Sequence, residues 1–252
     1  MGNLQGLYGI WLREFKVFQR ERSRVISSMV TPLMFIVLLG GGLGSTVDLG
    51  SLGGGFGYQT FIFPGILLML TMMGSIFFGL YIVWDRRIDV LKEVLVSPVS
   101  RTAIFFGKVL GGCTDVLIQV CILLCIGILF VPTTPASVAG SLVVALLVAI
   151  GMVALGLSIG SLFESLEGFQ VIVSFLVYPL FFLSGALFPL DPLPAWLKTA
   201  SYLDPLTYAV DALRSIQLGI PPSIPLGVDF LVMAAFAAGM VLLGTLGFRR
   251  MR

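Results

Sequence analysis

The sequence predicts an all-α, polytopic integral membrane protein, and three observations predict it. Of 252 residues, 58% are hydrophobic and only 11% are charged, whereas a soluble domain of this size carries roughly 25% charged residues to cover its surface. Six segments, 25–44, 59–84, 105–131, 138–163, 169–189 and 226–248, each supply the ~20 mostly apolar residues that a helix needs to cross a bilayer. Apart from Lys108, the basic residues gather around these segments rather than inside them.

The elements follow in order along a single domain, 1–252. Residues 1–24 form a cytoplasmic interfacial helix. Leu4, Leu7, Tyr8, Trp11, Phe15 and Phe18 recur every three or four residues, with Arg13, Lys16 and Arg20 on another face. These charges precede the first apolar run and argue against a cleaved signal peptide. Pro32 and Pro179 fall inside spans and should kink them, which membrane neighbours tolerate. Pro64 stands near the start of the second span. A Gly-rich stretch, 45–58, makes the first external loop, and 131–137 and 163–169 make tight turns.

Orientation follows from the placement of Lys and Arg. Arg13, Lys16, Arg20, Arg22 and Arg24 precede the first span. Arg86, Arg87, Lys92, Arg101 and Lys108 surround the loop after the second, and Arg249, Arg250 and Arg252 follow the sixth. Six crossings put these thirteen of fifteen basic residues on one side, leaving Lys198 and Arg214 on the other. Both termini are therefore expected in the cytoplasm.

Composition also excludes chemistry. Histidine is absent, which removes Ser–His and Cys–His catalysis and imidazole proton relays. The nearest approach to a phosphate-binding loop, Gly107-Lys108-Val109, lacks the earlier Gly and the following Ser/Thr. Net charge is +2, too small to suggest nucleic-acid binding. Cys113, Cys121 and Cys125 sit at helical spacing in an apolar segment and read as buried small hydrophobes. Lys108, Asp115 and Gln119 share a helix face. Counting back from Val131 puts Asp115 near the cytoplasmic boundary, so a Lys108–Asp115 pair is expected there.

Three constellations remain. The loop 85–101, DRRIDVLKEVLVSPVSR, is the one charged island between spans. Its apolar stripe of Ile88, Leu91, Val94 and Leu95, ended by Pro98, describes a short helix that a soluble partner could push. Gly156-x-x-x-Gly160 offers a small-residue face for close helix packing, within one chain or between two. Residues 184–214 are broken by Pro189, Pro192, Pro194 and Pro205, and carry Trp196, Tyr202 and Tyr208, residues that favour the membrane–water boundary. They predict short re-entrant helices between the fifth and sixth spans.

Taken together, Phe61-Ile-Phe-Pro-Gly65, the Glu93-x-x-x-Ser97-Pro98-Val99-Ser100-Arg101 loop leading to Gly107-Lys108, and the pattern Ser184-Gly185, Phe188-Pro189, Leu193-Pro194, Pro205-Leu206-Thr207-Tyr208, Asp211-x-x-Arg214 resemble the membrane subunit of type 2 ATP-binding-cassette exporters. The resemblance covers essentially the whole chain. It implies a permease without catalytic, cofactor or metal residues of its own, seated in a prokaryotic cytoplasmic membrane. It also implies two copies of the permease joined to two cytoplasmic ATPase subunits that carry ATP and Mg. The first cytoplasmic loop would be the coupling helix, with Arg87, Glu93, Ser97, Pro98 and Arg101 facing the ATPase. The segment 184–214 would be the external gate, with Pro189, Pro194, Trp196, Pro205 and Tyr208 shaping it.

Phe77, Phe78, Tyr178, Phe181 and Phe182 read chiefly as core or lipid-facing residues; as pathway residues they would suit an amphiphilic or hydrophobic cargo, drug or lipid. Export of a polysaccharide or lipo-oligosaccharide by the same machinery, or a secondary transporter working alone, are the alternatives.

Overall fold

A computed structural model of the chain describes residues 3–43, 57–88, 99–190 and 193–250. The described residues are helical, without strands: α1 (Asn3–Arg20), α2 (Arg22–Leu43), α3 (Tyr58–Phe77), α4 (Leu80–Arg87), α5 (Arg101–Gly127), α6 (Pro135–Leu162), α7 (Leu166–Leu183), α8 (Ala195–Leu203), α9 (Pro205–Leu218) and α10 (Leu226–Arg250). Six stretches are long and apolar enough to cross a membrane: Val25–Gly42, Tyr58–Arg87, Arg101–Gly127, Pro135–Leu162, Leu166–Leu183 and Leu226–Phe248. Most of the Gly-rich loop and nearly all of the segment expected to form a coupling helix, including Glu93, Ser97 and Pro98, lie outside the described residues, as does Pro192.

Local chemistry sets the boundaries. Ser100 starts α5 four residues earlier than hydropathy suggests, its hydroxyl accepting from the Ala103 amide at 3.3 Å. Thr134 and Ser137 form a capping box at the head of α6, with Pro135 in the first turn. The fifth span ends at Leu183, short of the expected 189, because Gly185 takes φ +71° and turns the chain away. Pro32, Pro64 and Pro179 all lie inside continuous helices.

The second span is interrupted at Phe78–Gly79, where the amides of Phe78, Gly79, Tyr81 and Ile82 bond carbonyls three residues back. Close packing occupies that break. A Cβ on Gly79 would strike the Gly156 carbonyl, one on Gly156 would strike that of Ile76, and one on Gly160 that of Gly79. The small-residue face of α6 therefore seats the α3–α4 break within one chain. Around this contact α6 is the central helix, touching α3, α4, α5, α9 and α10. The core is continuous, from Phe63 and Leu67 of α3 through Val116 and Val120 of α5 to Val148 and Met152 of α6. On α7, Phe169, Val173, Val177 and Phe181 form a buried seam at four-residue spacing, while Phe175, Tyr178 and Phe182 face outward.

Candidate functional site

The site at the end of the bundle carrying the termini is built on α5. Gly107 and Gly111 open a groove along it, and α1 lies in that groove. A Cβ on Gly107 would stand 2.9 Å from Ile10 Cβ, and one on Gly111 would stand 2.7 Å from Glu14 Cβ. Trp11 donates its indole N–H to Thr114 at 3.0 Å, fixing the register of the two helices. Phe248 of α10 packs on Phe105 with ring centroids 5.1 Å apart, bringing the last helix to the same end.

Between the two glycines, Lys108 is fully buried at 0% exposure. Its ammonium donates to Glu14 Oε1 at 3.0 Å and to Asp85 Oδ2 at 2.8 Å. Arg13 donates to the other oxygen, Asp85 Oδ1, at 2.8 Å. Burial alone would lower the pKa of Arg13, but the hydrogen bond and charge of Asp85, aided by Glu14, outweigh it and raise it. Two cations and two carboxylates make a neutral set. Only such pairing offsets a desolvation cost of several kcal/mol per ion.

Lys108 does not pair with Asp115, as its sequence position suggested. Seven residues of helix separate them by ~10 Å along the axis, and the lysine reaches back toward the start of α5. Asp115 lies midway along α5. It is buried at 1% exposure and stands ~18 Å from the Gly127 end of its helix. Of the cysteines, only Cys113 is buried; Cys121 and Cys125 face outward.

The end of α4, where the charged loop begins, is fixed on another side too. Arg86 donates to the Ser161 carbonyl at 2.8 Å and the Phe163 carbonyl at 3.2 Å, satisfying the end of α6. Tyr81 donates to Glu21 at the elbow between α1 and α2. Arg87, exposed, is the last residue of α4, and Arg101 is the first of α5. Through Asp85 and Arg86, α4 is therefore bonded to α1, α5 and the end of α6.

The opposite end holds the segment 184–214. Arg214 donates from Nη2 to the carbonyls of Gly185 at 2.7 Å and Ala186 at 3.2 Å, and its guanidinium lies 4.2 Å from the centre of the Phe61 ring. Tyr58 donates to the Leu187 carbonyl at 3.3 Å. A Cβ on Gly65 would collide with the Ala186 carbonyl, so the FIFPG stretch is what the returning chain packs on.

Pro189 is part-buried. Pro194 caps α8, and Trp196 projects from it at 73% exposure. Pro205 opens α9, where Asp204 accepts from the Leu206 amide at 2.9 Å. Tyr208 donates to the Tyr202 carbonyl at 2.9 Å and Thr207 to that of Ser201 at 2.7 Å, so α8 and α9 are tied as a corner.

The described chain thus combines six apolar spans, an N-terminal helix bonded to the root of a charged loop, and a broken helical pair at the other end. Residues 5–218 match the ABC-2 type transporter family. The chain belongs to that family. Relatives of this ABC-2 transporter include the inner membrane transport permease YadH of Escherichia coli K12, 28% identical over 244 residues, covering 94% of this chain and 92% of that protein. The transport permease ycf38 of Porphyra purpurea is 29% identical over 218 residues, covering 84% and 74%. Nodulation protein J of Rhizobium leguminosarum bv. trifolii is 26% identical over 215 residues, covering 84% and 81%. The protein is a multi-pass membrane permease.

The aromatic residues weighed as core, lipid-facing or pathway positions in this transporter do not share one surface. Phe78 and Phe181 are buried in the core, Phe78 filling the space beside Gly112. Tyr178 and Phe182 lie on the outer face of α7, and Phe77 borders two clefts. Four buried charges escaped notice in the sequence: Glu14 inside the amphipathic helix, Asp85 at the rim of the loop, Asp204 at the head of α9, and Asp229 in the first turn of α10. Glu14 was legible in principle, because it falls on the same helix face as Leu7, Trp11 and Phe18.

Proposed function

We propose that this permease is the transmembrane subunit of an ATP-driven exporter that moves an amphiphilic or hydrophobic compound, drug-like or lipid-like, out of the cytoplasm. ATP binding and hydrolysis belong to a separate ABC ATPase, two copies of which dock on two copies of the permease. Both termini and the loop 85–101 face the cytoplasm, and 184–214 closes the outer end. The observation that carries this reading is the ion set of Lys108, Glu14, Asp85 and Arg13 at the root of the loop. A handle is useful only if it is tied to what it must move, and these bonds tie it to α1 and to the second and third spans.

The coupling residues are Arg87, Glu93, Ser97, Pro98 and Arg101. The outward face of α7, with Phe175, Tyr178 and Phe182, suits a greasy cargo or a second copy. Export of a polysaccharide or lipo-oligosaccharide by the same machinery is the second reading. Co-purification with a cognate ABC ATPase, followed by replacement of Glu93 or Pro98, tests the coupling assignment. The expected result is uncoupled ATPase activity and loss of transport, and normal values for both would refute it.

A further inference from the structure

The Asp211-x-x-Arg214 pair has no task in the export cycle just described. Thr207, Asp211, Arg214 and Ser215 recur at three- and four-residue intervals and so share one face of α9. A polar helix face normally meets open water. This one instead borders a cavity of about 110 Å³, whose other walls include Phe61 of α3, Tyr202 of α8, Leu190 of the returning chain and Ile224. That volume holds several waters or one compact head group.

The two charges in the wall are engaged differently. Asp211 commits both carboxylate oxygens to the chain, accepting from the amides of Ser223 at 3.2 Å and Ile224 at 2.9 Å. Arg214 gives one nitrogen to the Gly185 and Ala186 carbonyls, yet its Nε is buried with no hydrogen-bond partner. Neutral carbonyls and a ring face hold a guanidinium without supplying a counter-charge. Burial accordingly lowers the Arg214 pKa to about 10, despite nearby Asp211 and Tyr58. A buried donor left without a partner carries a desolvation penalty, larger when the group is charged.

We infer that this cavity is a binding site for an oxyanion head group, phosphate or carboxylate, borne on an amphiphile, with Arg214 as its charge-assisted donor. The forked guanidinium suits an oxyanion better than any other side chain. Leu190 and Ile224 receive the first methylenes behind the head group. Placement of the site on the outward side rests on the orientation proposed above; its chemistry does not.

Calorimetric titration of the purified full-length chain in non-ionic detergent tests the inference, with hexyl phosphate, hexanoate and inorganic phosphate as separate arms and hexyl glucoside as the uncharged control. Hexyl phosphate or hexanoate is expected to bind, more tightly than inorganic phosphate and more weakly as salt rises. Arg214→Gln should reduce the affinity tenfold or more, while Arg214→Lys retains an intermediate value. Should Arg214→Gln fail to fold, Ser215→Asp carries the test, because it adds a negative charge to the wall without touching the bonds Arg214 makes to the chain, and it too should cost tenfold.

Equal affinity in wild type and Ser215→Asp overturns the site, as does hexyl glucoside binding as well as hexyl phosphate. Inorganic phosphate binding as tightly as the hexyl esters overturns the amphiphile. Binding needs neither ATP nor the ATPase, so a negative result leaves the export reading standing, and failed ATP-driven transport leaves the binding result standing.

Discussion

Lys108 and Glu14 stand 94 residues apart in the chain and 3.0 Å apart in the fold, with both side chains buried. The contact joins the N-terminal helix to the third span, and Asp85 extends it to the end of the second. Replacing Lys108 with Met leaves two buried carboxylates with one cation, Arg13. The expected cost is ~3–5 kcal/mol of stability, read as a lowered unfolding midpoint in detergent. The double variant Lys108→Met/Glu14→Gln should cost less than the sum of the single changes, because it removes one stranded charge.

The α6 seat makes a sharper steric prediction. Gly156→Ala points a methyl at the Ile76 backbone carbonyl, which cannot rotate away. The variant should lose ~3 kcal/mol or more and fail to elute as a single species in size-exclusion chromatography. Gly239→Ala, on the last span, meets nothing within 4 Å and should be neutral or gain ~0.5–1 kcal/mol from helix propensity.

Asp204 gives a pH dependence of known sign. Burial raises its pKa to about 7, although the Leu206 amide pulls the other way. The folded state therefore holds the proton more tightly than the unfolded chain does. This contribution to stability is complete below the unfolded value near 3.8 and is lost as pH rises through about 7. Thermal midpoints measured from pH 5 to 8 should fall for the wild type more steeply than for Asp204→Asn. Parallel slopes would contradict the assignment.

At the outer end, Trp196 is exposed enough to carry a reporter thiol. In a background with Cys113, Cys121 and Cys125 replaced, Trp196→Cys joined across two copies by a bifunctional thiol reagent should block transport while leaving ATPase association intact. Transport by the crosslinked protein would show that 184–214 is no gate.

What was legible in the sequence follows from the range of each interaction. The six spans and the Asp204-Pro205 cap are written in consecutive residues, and α1 is written in a single periodicity. The Gly156 face was visible, but its seat was not, because nothing near Gly79 marks a break in a long apolar run. Gly107 and Lys108 looked like a failed phosphate loop when the glycine makes room for α1 and the lysine answers charges 23 and 94 residues away. The start of α5 was set four residues too late, since its Ser100 cap, rather than hydropathy, defines it.

ATP-dependent transport by the reconstituted complex tests the central claim most directly. The permease and a cognate ABC ATPase are placed in liposomes, and uptake of a fluorescent amphiphile is followed with ATP supplied on the side of the ATPase. The account predicts uptake that requires both proteins and ATP hydrolysis and that falls at least tenfold in Glu93→Ala or Pro98→Ala. Equal uptake by the permease alone, without ATP, would contradict it and identify a transporter that needs no ATPase.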